Sequence, residues 1–178
     1  MMANLFEENK KDMKIRESRV VEDSYPVSDI ISQLNDKADL LYKFVIMYSS
    51  YIAEKHDYGT GELLTMAEAH TLSSIEENPG ITVTQLADFW NHTKGAISQI
   101  ISRLEKKGFV NRRQLNGNTK NVHLYVTEKG VEFCRQHRIF DSMEVSNTIQ
   151  ELLCSHCTIE EIDNFFKVIT AYIKILRT

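Results

Sequence analysis

The chain has little of what breaks or cross-links a fold. Its 178 residues include two prolines, seven glycines and three cysteines. So few prolines and glycines favour long helices over many short strands. Three cysteines are an odd number and too few for a disulfide framework, which suits a reducing cytoplasm. No run approaches the roughly 18 to 20 uninterrupted apolar residues of a membrane helix, so no membrane partner is expected. The N-terminal stretch MMANLFEENKKDMKIRESR has no apolar core of the signal-peptide kind. Catalytic signatures are missing too. There is no nucleophile elbow, phosphate-binding loop, dinucleotide fingerprint or metal-hydrolase motif, and no enzyme is expected.

What is present is a hydrophobic content of 42%, enough for a core, and a lopsided charge. The chain is acidic overall, at net −4, yet residues 91–120 hold seven basic side chains against Glu105 alone. That stretch is therefore +6, and the remainder carries −10. An acidic body with one basic patch draws nucleic acid to a single surface and repels it elsewhere.

Helical spacing organises most of the chain. Residues 1–26 are charged and mixed in sign and read as a mobile or loosely attached arm. After Pro26, Ile30, Leu34, Leu41, Val45, Tyr48 and Ile52 keep to one face, predicting a long amphipathic helix over 28–56. The stretch DYGTGE breaks it. A second helix, LTMAEAHTLSSIEE, stops at Asn78, Pro79 and Gly80. Thr82 with Gln85 makes a capping-box pattern for a third. A short "NH" link leads to Thr93 and the basic helix, which ends at Gly108. FVNRRQL and NVHLYVT flank NGNTK as a two-stranded hairpin. Thr127 opens a long helix to about Leu153, with a candidate break near Asp141. Thr158 with Glu161 caps a last helix striped by Ile162, Phe165, Phe166, Ile169, Tyr172, Ile173 and Leu176. The fold class is thus mainly α with a small β-hairpin wing. A winged helix-turn-helix lobe over 62–130 is flanked by long helices at 28–56 and 131–178.

At about 100° per residue, Ile97, Ile100, Ile101 and Leu104 fall on the inner side of the basic helix. Gly95, Ala96, Gln99, Ser102 and Arg103 fall on the outer side, with Ser98 at its margin. Small residues let a helix sink into the major groove. Gln and Arg read base edges, and Ser and Thr serve phosphates or bases. Thr93 at the N-cap leaves backbone N–H groups facing forward, with Lys94 beside them. The bland reading is a solvated charged face, but it leaves the sign bias, the short turn and the basic hairpin unexplained.

The segments LTMAEAHTL, GITVTQLADFWNHTKGAISQIISRLEKKGFVNRR and VHLYVTEKG resemble the MarR family of winged-helix transcriptional regulators. The resemblance covers about 28–178 and is strongest over 63–130. It implies one MarR-like domain over 27–178 and an obligate homodimer whose first and last helices interleave. It also implies a regulator, expected to be a repressor, straddling a pseudo-palindrome in double-stranded DNA. Carried across, Thr93, Lys94, Gly95, Ala96, Ser98, Gln99, Ser102 and Arg103 meet the major groove, and Arg112 and Arg113 lead into the wing. Many members carry an acidic residue and an arginine at the wing tip. This chain has NGNTKN there, so Asn116, Asn118 and Lys120 contact backbone or groove instead, and the wing acts mainly through charge.

The resemblance also implies an effector, which in various members is a small anionic aromatic, an oxidant or zinc. Tyr48, Tyr51, His56, Tyr58 and His70 are candidates to line an effector cleft, against the reading that they are core or interface residues. Zinc-sensing members are similar in placing a histidine at the position of His70 and others after the wing. His137 and Asp141 match there, with Cys134 on the same helical face. Zinc needs about four convergent ligands, and the histidine clustering of those members is missing. Zinc is therefore an alternative, and no cofactor is required. Cys154 and Cys157 in CSHC are the redox candidates, weighed against small buried residues at a helix end. The competing function class is a protein-interaction module without sequence-specific DNA binding, which has no need of a one-sided basic face.

Overall fold

Five threonines start five of the helices. The computed structural model describes residues 27–114 and 122–176. Thr65 accepts from the Glu68 N–H and Thr82 from the Gln85 N–H, each as a reciprocal capping box. Thr93 accepts from Ala96 N–H at 3.1 Å, and Thr127 from Gly130 N–H at 3.1 Å. Thr158 accepts from Glu161 N–H while its own N–H donates to Glu161 Oε2. Each cap satisfies a backbone donor the helix cannot, for about 1 kcal/mol.

The elements run α1 (Val27–Ala53), β1 (Lys55–Asp57), β2 (Leu63–Thr65), α2 (Met66–Glu77), α3 (Val83–Trp90), α4 (Lys94–Lys106), β3 (Val110–Gln114), β4 (Val122–Val126), α5 (Glu128–Cys154) and α6 (Ile159–Leu176). The order helix, helix, basic helix, hairpin is the one the sequence predicts. The chain divides into two compact units, Met1–Ser49 and Ser50–Thr178. In the first, no residue of α1 is buried, and Phe44 stacks on Tyr48 at 5.7 Å. No helix among the described residues is long and apolar enough to cross a membrane.

Two expectations change. DYGTGE is not a plain break: it is the tip of a hairpin in which β1 and β2 pair antiparallel, His56 opposite Leu64. Asp57 Oδ1 accepts from the N–H groups of Gly59, Thr60 and Gly61, and both glycines take positive φ, at 86° and 74°. An aspartate that gathers three amides, with glycines free to adopt left-handed backbone, turns the chain back on itself. The second change is α5, which runs unbroken through Asp141 to Cys154. Nothing near Asp141 is a Pro or Gly, so the 3.6-residue ladder has no reason to stop.

The core of the second unit lies where α2, α3, α4 and the wing meet. Leu72, Ile75, Leu86, Ile97, Ile101, Leu104, Phe109 and Leu124 are all fully buried there. In the wing Arg112 pairs with Leu124, and Thr82 bridges His123 to add a third short strand segment. Gly80 N–H donates to Leu124 O at 2.8 Å, which ties the entry of α3 to the wing.

Gly130 sits in the first turn of α5, against the carbonyl of Phe109. A Cβ built there would lie 2.5 Å from Phe109 O and 3.3 Å from Val126 Cβ. The wing and α5 are packed around the missing side chain. Gly130→Ala should therefore lower stability by about 1–3 kcal/mol, the usual cost of overpacking. The readout is a lower urea midpoint at unchanged slope; an unmoved midpoint would mean the backbone gives way freely.

Candidate functional site

The basic helix α4 is anchored on the side the spacing predicts. Ile97, Ile100, Ile101 and Leu104 are buried. Lys94, Gly95, Ala96, Gln99, Ser102 and Arg103 are exposed, and Ser98 is half-buried. The outer face therefore begins with two small residues and carries cations at both ends.

Several of those side chains are already bonded within the molecule. Arg103, expected on base edges, donates from Nε to Glu68 Oε1 at 2.5 Å. Glu68 lies on α2 and is only 3% exposed. Its second oxygen accepts from Thr65 N–H at 3.1 Å. Burial pushes this carboxyl up, but the hydrogen bonds from Arg103 and Thr65 hold it below the usual carboxylate value. Arg112 is held likewise: Nε donates to Glu105 Oε2 at 3.0 Å and Nη2 to Ser102 Oγ at 3.1 Å. Ser102 Oγ donates in turn to Ser98 O. Lys107 reaches back to Leu63 O, and Arg113 lies over the Tyr125 ring at 4.9 Å. Lys94 and Gln99 make no hydrogen bond or ion pair among the described residues. Asn116, Asn118 and Lys120 lie outside the described residues, as does the expected arm at 1–26.

A second cluster joins α2 to α5. The ligand atoms of His70, His137 and Asp141 all lie within 4.8 Å of one another. His137 is 1% exposed, and its Nδ1 meets Ser73 Oγ at 3.3 Å. Its Nε2 is 3.3 Å from Asp141 Oδ2 but lacks the alignment of a hydrogen bond and has no partner. Burial lowers the His137 pKa; Asp141 opposes this, and His70 and Arg138 add to it. The imidazole is therefore neutral at pH 7, the form that binds metals. The contact with Asp141 is then not an ion pair.

Aromatic rings surround this cluster. Tyr58 stands edge-on to His137 at 4.9 Å, and His70 contacts Trp90 of α3 at 6.1 Å. His56 lies 6.3 Å from Tyr58 and 5.4 Å from Tyr51, whose hydroxyl donates to Glu144. Tyr58 OH and His56 Nε2 are buried without partners. Burial and then Asp141 push the Tyr58 hydroxyl up to about 12. The effector candidates Tyr51, His56, Tyr58 and His70 thus join the metal candidates in one place. Tyr48 belongs to the first compact unit.

The cysteines are all free thiols. Cys134 is buried, and burial raises its pKa to about 12, which keeps it unreactive. Cys154 is exposed at the end of α5 and Cys157 is half-buried before α6. Two functional features escaped the sequence: Glu68 as the anchor of Arg103, and Trp90 beside His70. Thr65-x-x-Glu68 is a capping-box pattern visible in the sequence, but the pattern says nothing of the second bond to Arg103.

Known proteins match the winged-helix lobe in sequence and the chain in fold. The MarR family model matches residues 64–122. The uncharacterized HTH-type transcriptional regulator YhjH of Bacillus subtilis is 36% identical over 84 residues, 47% of this chain and 48% of that protein. The chain thus spans about half the length of the curated relatives it matches. FabT of Streptococcus pneumoniae, solved in complex with DNA, superimposes with a TM-score of 0.57 at 23% identity, covering 82% of this chain and 96% of that one. The zinc-responsive MarR family member ZitR of Lactococcus lactis gives 0.58 at 18%, covering 79% and 99%. At these identities the structural likeness speaks to the fold.

The buried imidazole makes stability depend on pH in one direction. His137 titrates lower in the folded chain than its unfolded value of about 6.5. The unfolded chain therefore takes up the proton first as pH falls. The His137 contribution is complete above pH 6.5 and is lost below it. Melts between pH 7.5 and 5 should show this loss in the wild type and a flatter profile in His137→Leu. Parallel profiles would place the titrating group elsewhere.

Proposed function

We propose that this chain, whose winged-helix lobe matches the MarR family model over residues 64–122, is a sequence-specific transcriptional regulator, not an enzyme, that binds a pseudo-palindromic operator as a homodimer. The observation that carries this reading is the outer face of α4. It is exposed, small at its N-terminal end, and basic within an acidic chain. Backbone N–H groups at the helix start and Lys94 serve phosphates, and the same face presents side chains to base edges. Where its operator overlaps a promoter, a bound dimer excludes the polymerase sterically and acts as a repressor.

The dimer reading is supported by apolar surface. No residue of α1 is buried, and on α6 only Ile162 is. Phe165, Phe166, Tyr172 and Ile173 of α6 are about half exposed, as is Leu41 of α1. Monomers rarely expose contiguous apolar patches beyond a few hundred Å². An isologous pair of chains covers such faces and sets two copies of α4 about 34 Å apart, one turn of duplex.

The cluster of His70, His137 and Asp141 supports an effector of one kind, a divalent metal ion. Two imidazoles and a carboxylate converge, and His137 is held neutral with an unpartnered Nε2. Three protein ligands leave a position open. Asp141 places a carboxylate within the cluster, which suits a cation better than an anionic aromatic effector. A bound cation would supply charge neutralisation and a link between α2 and α5. Because α2 also carries Glu68, the partner of Arg103, a shift of α2 is passed to α4.

The test is fluorescence anisotropy of the full chain on duplex from just upstream of its own gene, beside scrambled duplex, across a salt series. Tight binding that survives scrambled competitor is expected, with a mass of two chains by sedimentation. Lys94→Ala should weaken both duplexes evenly and reduce the salt slope by about one. Equal, weak, steeply salt-dependent binding to both duplexes would favour the interaction-module reading instead. Competition with a chromophoric chelator should find one zinc per chain in the wild type and none in His137→Ala; equal uptake by both would remove the metal reading and leave the DNA reading intact.

A further inference from the structure

Most of the polar side chains on the outer face of α4 are committed inside the protein. Arg103 is tied to the buried Glu68 through Nε. Ser102 Oγ both donates to Ser98 O and accepts from Arg112. Arg112 also holds Glu105. Thr93 Oγ1 accepts from Ala96 N–H, and Ser98 is half-buried with a one-carbon side chain. Two exposed polar side chains on the N-terminal half remain uncommitted, Lys94 and Gln99. Lys94 is a point charge whose geometry suits phosphate. Gln99 carries a planar amide with a donor and an acceptor side by side. One turn before it stand Gly95 and Ala96, exposed and small, so the backbone can come close to the groove floor.

Building on the DNA-binding reading of α4, we propose that Gln99 is the specificity-determining residue and that the base it reads is adenine. The amide offers one donor, Nε2–H, and one acceptor, Oε1. In the major groove adenine presents an acceptor at N7 beside a donor at N6, a two-bond match. Guanine presents two acceptors, and cytosine and thymine one group each, so the amide pairs with them through a single bond. Each half-site of the operator then carries one adenine whose identity matters more than its neighbours'. Arg103 is a positioning residue. Its bond to Glu68 through Nε fixes the angle at which α4 presents Gln99.

The experiment is selection of bound duplexes from a random double-stranded library by the full-length wild type, Gln99→Ala, and Arg103→Ala. Anisotropy follows on the selected operator and on duplexes altered at each position. The wild type should require adenine at one symmetric position, with roughly tenfold to hundredfold weaker binding when it is replaced. Gln99→Ala should bind all four bases there within about threefold, keep its preferences elsewhere, and melt like the wild type. Arg103→Ala should lose stability and overall affinity yet still prefer adenine. If Gln99→Ala keeps the wild-type preference, or Arg103→Ala alone flattens it, the assignment is wrong. If the wild type itself selects no sequence, the DNA-reading premise fails, and the assignment with it.

Discussion

Glu68 is a carboxylate with almost no access to water, and it exists in that state because two donors hold it. Thr65 N–H supplies one at the start of α2, and Arg103 supplies the other from α4. Without them a buried charge would stand unpaired, at a cost of a few kcal/mol. The pair therefore fixes α2 against α4 more firmly than apolar contact alone, since apolar contact has no direction. The wing adds the second brace, Arg112 to Glu105 and Ser102. These two braces hold α4 to α2 and to the wing.

That arrangement divides the basic residues by task. A charge count treats Lys94, Arg103, Lys106, Lys107, Arg112 and Arg113 alike. The structure separates those that already hold a protein acceptor from those that do not. Arg103 and Lys107 each spend one donor on a protein acceptor and Arg112 spends two, while Lys94 has no such bond among the described residues. The long-range field still counts all of them, because solvent screens over about 10 Å rather than bond by bond. On the proposed reading, steering toward DNA and reading of DNA rest on different subsets of the same patch.

The second cluster uses the same helix. His70 stands two residues beyond Glu68, and Trp90 of α3 touches its ring. His137 and Asp141 reach it from α5 at i, i+4 spacing, one face of a helix that runs unbroken through Asp141. Had α5 kinked there, the imidazole and the carboxylate would not converge. The unpaired, buried nitrogen of His137 is the kind of polar atom a folded core does not keep idle.

Periodicity, caps and charge bias were enough, from the sequence, for the element order, the buried face of α4 and the sign of its surface. These are local properties. A stripe every 3.6 residues, a threonine before a helix and a cation in a short window are each settled by neighbours in the chain. The hairpin at 55–65 is locally encoded as well, since Asp57 with Gly59 and Gly61 is turn chemistry, but its three-residue strands are too short to show a period of two. What only the tertiary structure decided was pairing over distance. That Arg103 answers Glu68 thirty-five residues earlier, that Arg112 lies on Ser102, and that His70 meets His137 and Asp141 all depend on how elements pack. Spacing places a side chain on a face, but which group waits opposite is fixed only when another helix arrives there.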